Sequence, residues 1–414
     1  MTLPNITVAI RPDLSFIVSG TGILGTTALG SGFLLGPAAN AFVPLQGKTM
    51  QVSIDRGRTR VTETFDSGKA TVRIMDTTGQ FNPDNTSSNL YPYVLPLRRF
   101  RISAFVNNQS VLLFDGFTTR YTYEHVIGTS TVFITIEAED AIRILNLATV
   151  ELVTGAAPNE DTGTRIGKIL SQLGVASSVR SIATGDSTLI DDPATIRTGI
   201  EAVNQCANAE LGAFFISRDG IYTFLSRHDC QELAGGVTVA PLEFNETGGL
   251  RFTAIQQGFD DEQTFNNYIV SGDGINELTG SDATSIGEYF TRTYSLSGSL
   301  LATDQQAQDM INVLLASRKD PQITIDAIEC MPSSMTEAQA ATIAQADLLQ
   351  PITVTKAYAS GTITRTLTIQ GIRHEITPDR WNTTFALSEP IGGDALVLDS
   401  TTQGLLDQDV LSYT

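Results

Sequence analysis

Ser67-Gly68-Lys69-Ala70-Thr71-Val72-Arg73-Ile74 runs almost directly into Asp76-Thr77-Thr78-Gly79-Gln80-Phe81-Asn82-Pro83-Asp84-Asn85. Ala70, Val72 and Ile74 fall on one side of an extended chain, and Thr71 and Arg73 on the other, the period-two pattern of a half-buried strand. Gly79 supplies a left-handed turn position at no steric cost, and Pro83 drives Asn82 into an extended conformation. The segment fixes backbone shape and offers no reactive group.

Working outward, further strands are expected at 49–54, 100–106, 110–114 and 131–138, with Asn107-Asn108 as a tight turn. Closing such a sheet into a barrel would remove its exposed edges. After about residue 150 the pattern changes. Thr164 is placed to cap a helix carrying Ile166, Ile169, Leu170 and Leu173 at helical spacing, and Gly174 stops it. A second helix is expected from Thr195, with Ile196, Ile200, Val203 and Ala207 on one face. Arg218-Asp219-Gly220 then joins Ala213–Ser217 to Ile221–Leu225 as a hairpin. From about residue 245 strands return, including 363–369 and 381–387, around one helix opened by the capping box Thr303-Asp304-Gln305-Gln306 and stopped by Pro321. The expected fold class is mainly β with an α/β insertion. Two β-barrel-like domains, 46–150 and 245–390, flank a small α/β domain at 151–244, with a Gly-rich arm at 1–45 and a tail at 391–414.

Composition narrows the function. At 414 residues the chain is long enough for several domains with their own cores. Its net charge of −19 argues against a free protein that grips nucleic acid through a basic face. Charge is unevenly placed: residues 46–120 hold ten Lys or Arg against six Asp or Glu, so that segment is +4 and the remainder −23. Such asymmetry suits ordered contacts with like copies or neighbours in an assembly. Cys206, Cys230 and Cys330 lie far apart without Cys-x-x-Cys spacing, and read as buried thiols of a chain folded in a reducing cytosol. The sequence has no run of about twenty apolar residues to span a membrane. Gly25, Gly30, Gly32 and Gly36 interrupt the N-terminal apolar stretch, which argues against a signal peptide.

Catalytic patterns fail on inspection. Gly20-Thr21-Gly22-Ile23-Leu24-Gly25 matches a dinucleotide-binding spacing, yet Gly30, Gly32, Gly36 and Pro37 spoil the helix that must follow, and no acid lies between Asp13 and Asp55. His125, His228 and His374 are too scattered to pair as metal ligands. His228-Asp229-Cys230, read as extended, points its members to opposite faces. Asp191-Asp192 and Asp260-Asp261-Glu262 hold the carboxylates that a glycosidase pair needs, in what read as ordinary surface loops. Asp76 to Asp84 misses the Ca²⁺ loop pattern because Gly79 comes too soon and no Glu closes it. No catalytic residue, cofactor or metal is expected.

The strand and turn at 67–83 resemble the signature of minor tail proteins that form the hub at the tip, or baseplate, of long bacteriophage tails, in which Ser-Gly-x-Ala-Thr-Val leads into Asp-x-x-Gly-x-Phe-x-Pro. Phe114-Asp115-Gly116-Phe117, Ile136-Glu137-Ala138-Glu139-Asp140-Ala141, the stretch from Thr164 to Gly174, and Glu210 through Gly212 to Gly220 resemble later family segments in the same order. So do Gly371 to Ile376 followed by Trp381-Asn382-Thr383-Thr384-Phe385, and the likeness spans roughly residues 50–410. It marks Ser67, Gly68, Asp76, Gly79, Phe81, Pro83, Gly116, Gly212, Gly220 and Trp381 as structural motif residues. The resemblance implies a non-enzymatic homotrimeric hub in the virion tail tip, assembled in the bacterial host cytoplasm. Its two β modules per subunit would form a pseudo-sixfold collar between the sixfold tube and a threefold tip. Implied neighbours are the distal tail protein, the tape-measure protein and other tail-tip or fibre proteins. Genome DNA would pass the lumen without specific binding, and no membrane anchor is implied. The alternatives are a distal tail or receptor-binding subunit contacting host glycan, and a tip-associated cell-wall hydrolase using an acid pair.

Overall fold

The computed structural model describes residues 5–11, 42–45, 48–60, 63–88, 90–91, 94–259, 263–358 and 361–390. The expected Gly20–Gly25 motif, the cluster Asp260–Glu262 and the tail at 391–414 lie outside them. The fold is mainly β with an α/β insertion, as expected.

The opening motif forms the strand Asp66–Asp76, in which Ala70, Val72 and Ile74 are buried as the alternation requires. It pairs antiparallel with Lys48–Gly57 on one side and Val132–Glu139 on the other. Gln109–His125 and Arg99–Val106 extend the sheet, joined by a turn in which Asn107 and Asn108 both have positive φ. Asn5–Arg11, within the segment expected as an arm, adds a full strand with Val8 opposite Ile102.

Two closed barrels are not present among the described residues. Lys48–Gly57 instead pairs with Gly361–Thr377, Val52 opposite Ile376 and Gly57 opposite Gly371, so the two β modules share one thirteen-stranded sheet. The edges that barrel closure would have satisfied satisfy each other. Close approach sets the glycines at this seam: a Cβ on Gly57, whose φ is +103°, would lie 2.2 Å from Gln370 O. Beyond the seam the sheet continues through Arg380–Ser388 and Thr324–Cys330 to Ala254–Gly258, while Pro351–Tyr358 and Leu242–Asn245 branch from Gly361–Thr377.

Three cores underlie these layers. One fills the first β module and includes Ala341, Ala344 and Trp381 from the far part of the chain. The second packs Phe65 and the hairpin residues Ala213 and Phe215 with Ile328, Ile352, Ile369 and Phe385. The helix Glu337–Gln345 thus has buried alanines in the first core and Ile343 in the second. The third core joins Ile166, Ile169, Val203 and Phe224 of the α/β insertion to Val270, Leu301, Met310 and Ile311. Residues between 245 and 390 contribute to all three cores.

Several helix starts differ from the sequence reading. The helix Thr162–Gln172 begins two residues before Thr164, with Asp161 at its N-cap. The next runs Gly199–Ala209 and is capped by Thr198 and Glu201 in a capping box, which leaves Ile196 outside it and 75% exposed. Thr303 does cap Asp304–Arg318, accepting from Gln306 N, and buries Ala307, Met310, Ile311 and Leu314.

Candidate functional site

The motif residues divide between a turn at the far end of the strand Asp66–Asp76 and the contacts around the hairpin at its start. Asp76 organises the turn: Oδ1 accepts from Thr78 N at 2.8 Å and Gly79 N at 2.9 Å, and Oδ2 accepts from Phe81 N at 3.1 Å. The carboxylate that a Ca²⁺ loop would have used is occupied by backbone N–H groups. Gly79 has φ +70°, Phe81 is buried, and Tyr123 OH donates to Phe81 O at 3.0 Å. Pro83 follows at the exposed outer side of the turn, just after Asn82, whose Oδ1 accepts from Asp84 N.

At the start of the same strand, Gly68 N donates to Asp140 Oδ2 at 2.8 Å, and Ser67 Oγ and Ile142 N donate to Oδ1 at 3.2 and 2.9 Å. Burial pushes the Asp140 carboxyl up to about 6, against the pull of these donors and of the nearby Arg56 charge. A Cβ on Gly68 would stand 2.8 Å from the Asp140 carboxylate Oδ2, and one on Gly116 2.3 Å from the backbone Glu139 O, so a buried side chain crowds the first glycine and the backbone the second.

The hairpin of strands Ala213–Ile216 and Tyr222–Leu225 is wedged between the β modules. Arg56 of the first module is buried and donates to Ile216 O at 3.2 Å and to Asp347 Oδ1 of the second at 2.5 Å. Asp347 Oδ2 accepts from Arg218 N at 3.0 Å. On the opposite flank, Gly220, φ +76°, abuts Asp115, whose carboxylate is gripped by Arg99 at 2.8 Å and by Arg101. Gly212 sets the hairpin's other end, where a Cβ would meet Leu225 O at 2.8 Å. Asp347 of one β module thus binds the hairpin tip, and Asp115 of the other packs against it.

Trp381, fully buried, donates Nε1–H to His374 Nδ1 at 3.3 Å, and Ser333 Oγ accepts its backbone N–H. Burial, aided by the Arg56 charge, pulls His374 down to about 3, so the ring is neutral and unable to shuttle protons near neutral pH. His228 lies on the exposed face of the helix Arg227–Ala234 beside Glu232, and that helix, with its Ser226–Asp229 capping box, replaces the extended segment expected there. Burial raises the Cys230 thiol to about 12. Asp192 is buried and paired with Arg197. No group of three metal-ligating side chains occurs among the described residues, and no helix among them is long and apolar enough to cross a membrane.

Several basic residues of segment 46–120 pair with carboxylates of the same chain: Arg56 with Asp347, Arg73 with Glu124, and Arg99 and Arg101 with Asp115. Ion pairs, the hairpin and the shared sheet hold the two β modules together. A cavity of about 130 Å³ lies where the cores meet and is lined by Arg58, Phe265, Tyr268, Tyr294 and Arg318, among others.

The same architecture occurs in solved structures. The 43 kDa tail protein of prophage MuSo2 from Shewanella oneidensis superposes with a TM-score of 0.57 at 11% identity, over 93% of this chain and 99% of that one. The fold is that of phage tail proteins. A tail protein from Neisseria meningitidis MC58 superposes with a TM-score of 0.55 at 11% identity, over 94% of this chain and 97% of its own. No family model and no curated protein matches the sequence. The tail-protein fold thus persists where sequence identity has nearly vanished.

Proposed function

We propose that the chain is a non-enzymatic structural subunit of a phage tail tip, three copies of which form a hub ring. Six β modules from three chains would give a pseudo-sixfold collar that adapts a sixfold tube and distal tail ring to a threefold tip. The observation that carries this reading is the seam: Lys48–Gly57 and Gly361–Thr377 join two β modules edge to edge in one chain, locked by the Arg56–Asp347 pair and the wedged hairpin. A unit of two rigidly coupled modules is what a threefold part needs to present six similar faces. The distal tail protein, the tape-measure protein and other tail-tip or fibre proteins are its expected neighbours. With a net charge of −19, a lumen built from such chains would repel phosphate and let DNA pass without specific binding.

The test is the mass of the purified chain, alone and bound to tails. Three copies support the hub. A sixfold ring favours a distal tail subunit instead, and hydrolysis of purified peptidoglycan lost on an Asp or Glu substitution favours an enzyme.

A further inference from the structure

Phe290 ends the helix Ala283–Tyr289 with φ +62° and ψ 171°, a backbone region almost confined to glycine, and its side chain is 85% exposed. The buried Asn266 holds it there, donating from Nδ2 to Phe290 O at 2.8 Å and accepting at Oδ1 from Arg292 N at 2.8 Å. The Asn266 clamp sets the disfavoured backbone, and it leaves the ring exposed. Phe259 and Ile323, also exposed, flank the last pair of the outermost ladder, Gly258 opposite Thr324. The helix before Phe290 is tied to this end by Ser285 Oγ donating to Lys319 O and by the Lys319–Asp282 ion pair. Glu288 and Asp320 are exposed beside it. The result is an apolar anchor with an acidic rim.

Near the other end of the sheet order, Tyr91, Leu95 and Leu97 are exposed just before the strand Arg99–Val106. Leu97 also has positive φ, +61°, fixed by its N–H donating to Thr118 O at 2.6 Å. Arg98 and Arg120 accompany this patch, neither with a carboxylate in ion-pair range among the described residues, and Arg98 Nε is buried without a partner. This surface is apolar with a basic rim.

We propose that these two surfaces meet between copies of the chain, Phe290 of one copy seating on Tyr91, Leu95 and Leu97 of the next, with Glu288 and Asp320 facing Arg98 and Arg120. Unlike surfaces in contact make a head-to-tail interface, which closes into a ring when the rotation per copy divides a full turn. An aromatic anchor with complementary charges at its rim is the usual form of an energetic centre in such contacts. The inference rests on the reading of the chain as a ring subunit, and adds the faces by which it joins.

Disulfide trapping tests it. The native cysteines are buried or half-buried with thiols pushed up by burial, so introduced surface cysteines dominate oxidation. A chain carrying Phe290→Cys and Leu97→Cys should form chain-to-chain disulfides on mild oxidation, and neither single variant should. Phe290→Gly suits the backbone, so it should fold with an unchanged or higher unfolding midpoint while association weakens about tenfold or more. Self-crosslinking of Phe290→Cys alone would overturn the head-to-tail contact. Wild-type rings with no crosslink in the double variant and normal assembly of Phe290→Gly would overturn this interface and leave the ring reading standing. A wild-type chain that stays single both alone and on tails would overturn both.

Discussion

Replacing Gly220 by Ala tests the wedged hairpin against an internal control. Gly220 and Gly128 have nearly the same backbone, φ +76° and +84°, but a Cβ on Gly128 meets nothing within 4 Å, whereas one on Gly220 lies 2.9 Å from Asp115 Cγ and 3.1 Å from its Oδ1. Both substitutions incur the left-handed penalty of about 1–2 kcal/mol. Only Gly220→Ala must also move a carboxylate held by Arg99 and Arg101. Overpacking against a fixed group adds roughly 1–3 kcal/mol, so Gly220→Ala should lose about 2–5 kcal/mol in total. Urea unfolding of the two variants beside wild type measures the difference, and hydrogen exchange at 213–225 should show the loss centred there. Equal destabilisation of the two variants would refute the claim that the turn is clamped between the β modules.

Four further outcomes are expected. Asp140 binds its proton more tightly folded, at about 6, than at the ordinary 3.8, so its contribution to stability is fully present below about pH 4 and is lost as pH rises through 6. The span is about 3 kcal/mol, and urea midpoints between pH 4 and 7 should show that slope in wild type and lose it in Asp140→Asn. At neutral pH the same variant faces an amide N–H₂ toward a buried backbone donor and should be less stable by about 1–3 kcal/mol. Thr198→Ala should cost about 1 kcal/mol through loss of its cap, and Thr164→Ala close to none, as thermal melts would show. Trp381→Ala, emptying a fully buried site shared by Ser333 and His374, should cost about 3–5 kcal/mol, and a fall under 1 kcal/mol would contradict its central place in the first core.

Local shape was legible where one residue type alone satisfies a constraint. The alternation of Ala70, Val72 and Ile74, the turn at Gly79 and the hairpin at Gly220 all follow from period and backbone freedom. The mainly β class with an α/β insertion follows from the same signals. What was not legible is non-local. Nothing in Lys48–Gly57 or Gly361–Thr377 says that each takes the other as its neighbour, because an edge strand can be satisfied by closure or by a second module. The partners of the charged residues were hidden for the same reason: Arg56 and Asp347 lie 291 positions apart. Some misses were avoidable. Ser226-x-x-Asp229 and Thr336-x-x-Gln339 are capping boxes that announce the helices Arg227–Ala234 and Glu337–Gln345, and Thr198-x-x-Glu201 places the helix start that Thr195 does not. The exposed Phe290 had no sequence signal, since a strained backbone at a phenylalanine is set by the Asn266 clamp 24 residues away.

Rotational averaging of images of tail tips carrying this chain bears most directly on the ring account. The expected result is a ring of three copies, each placing two β modules at near-sixfold positions around the axis, with a matching solution mass of three times 44.4 kDa where the free chain assembles. Six copies around the axis, or a single copy attached off it, would contradict the account.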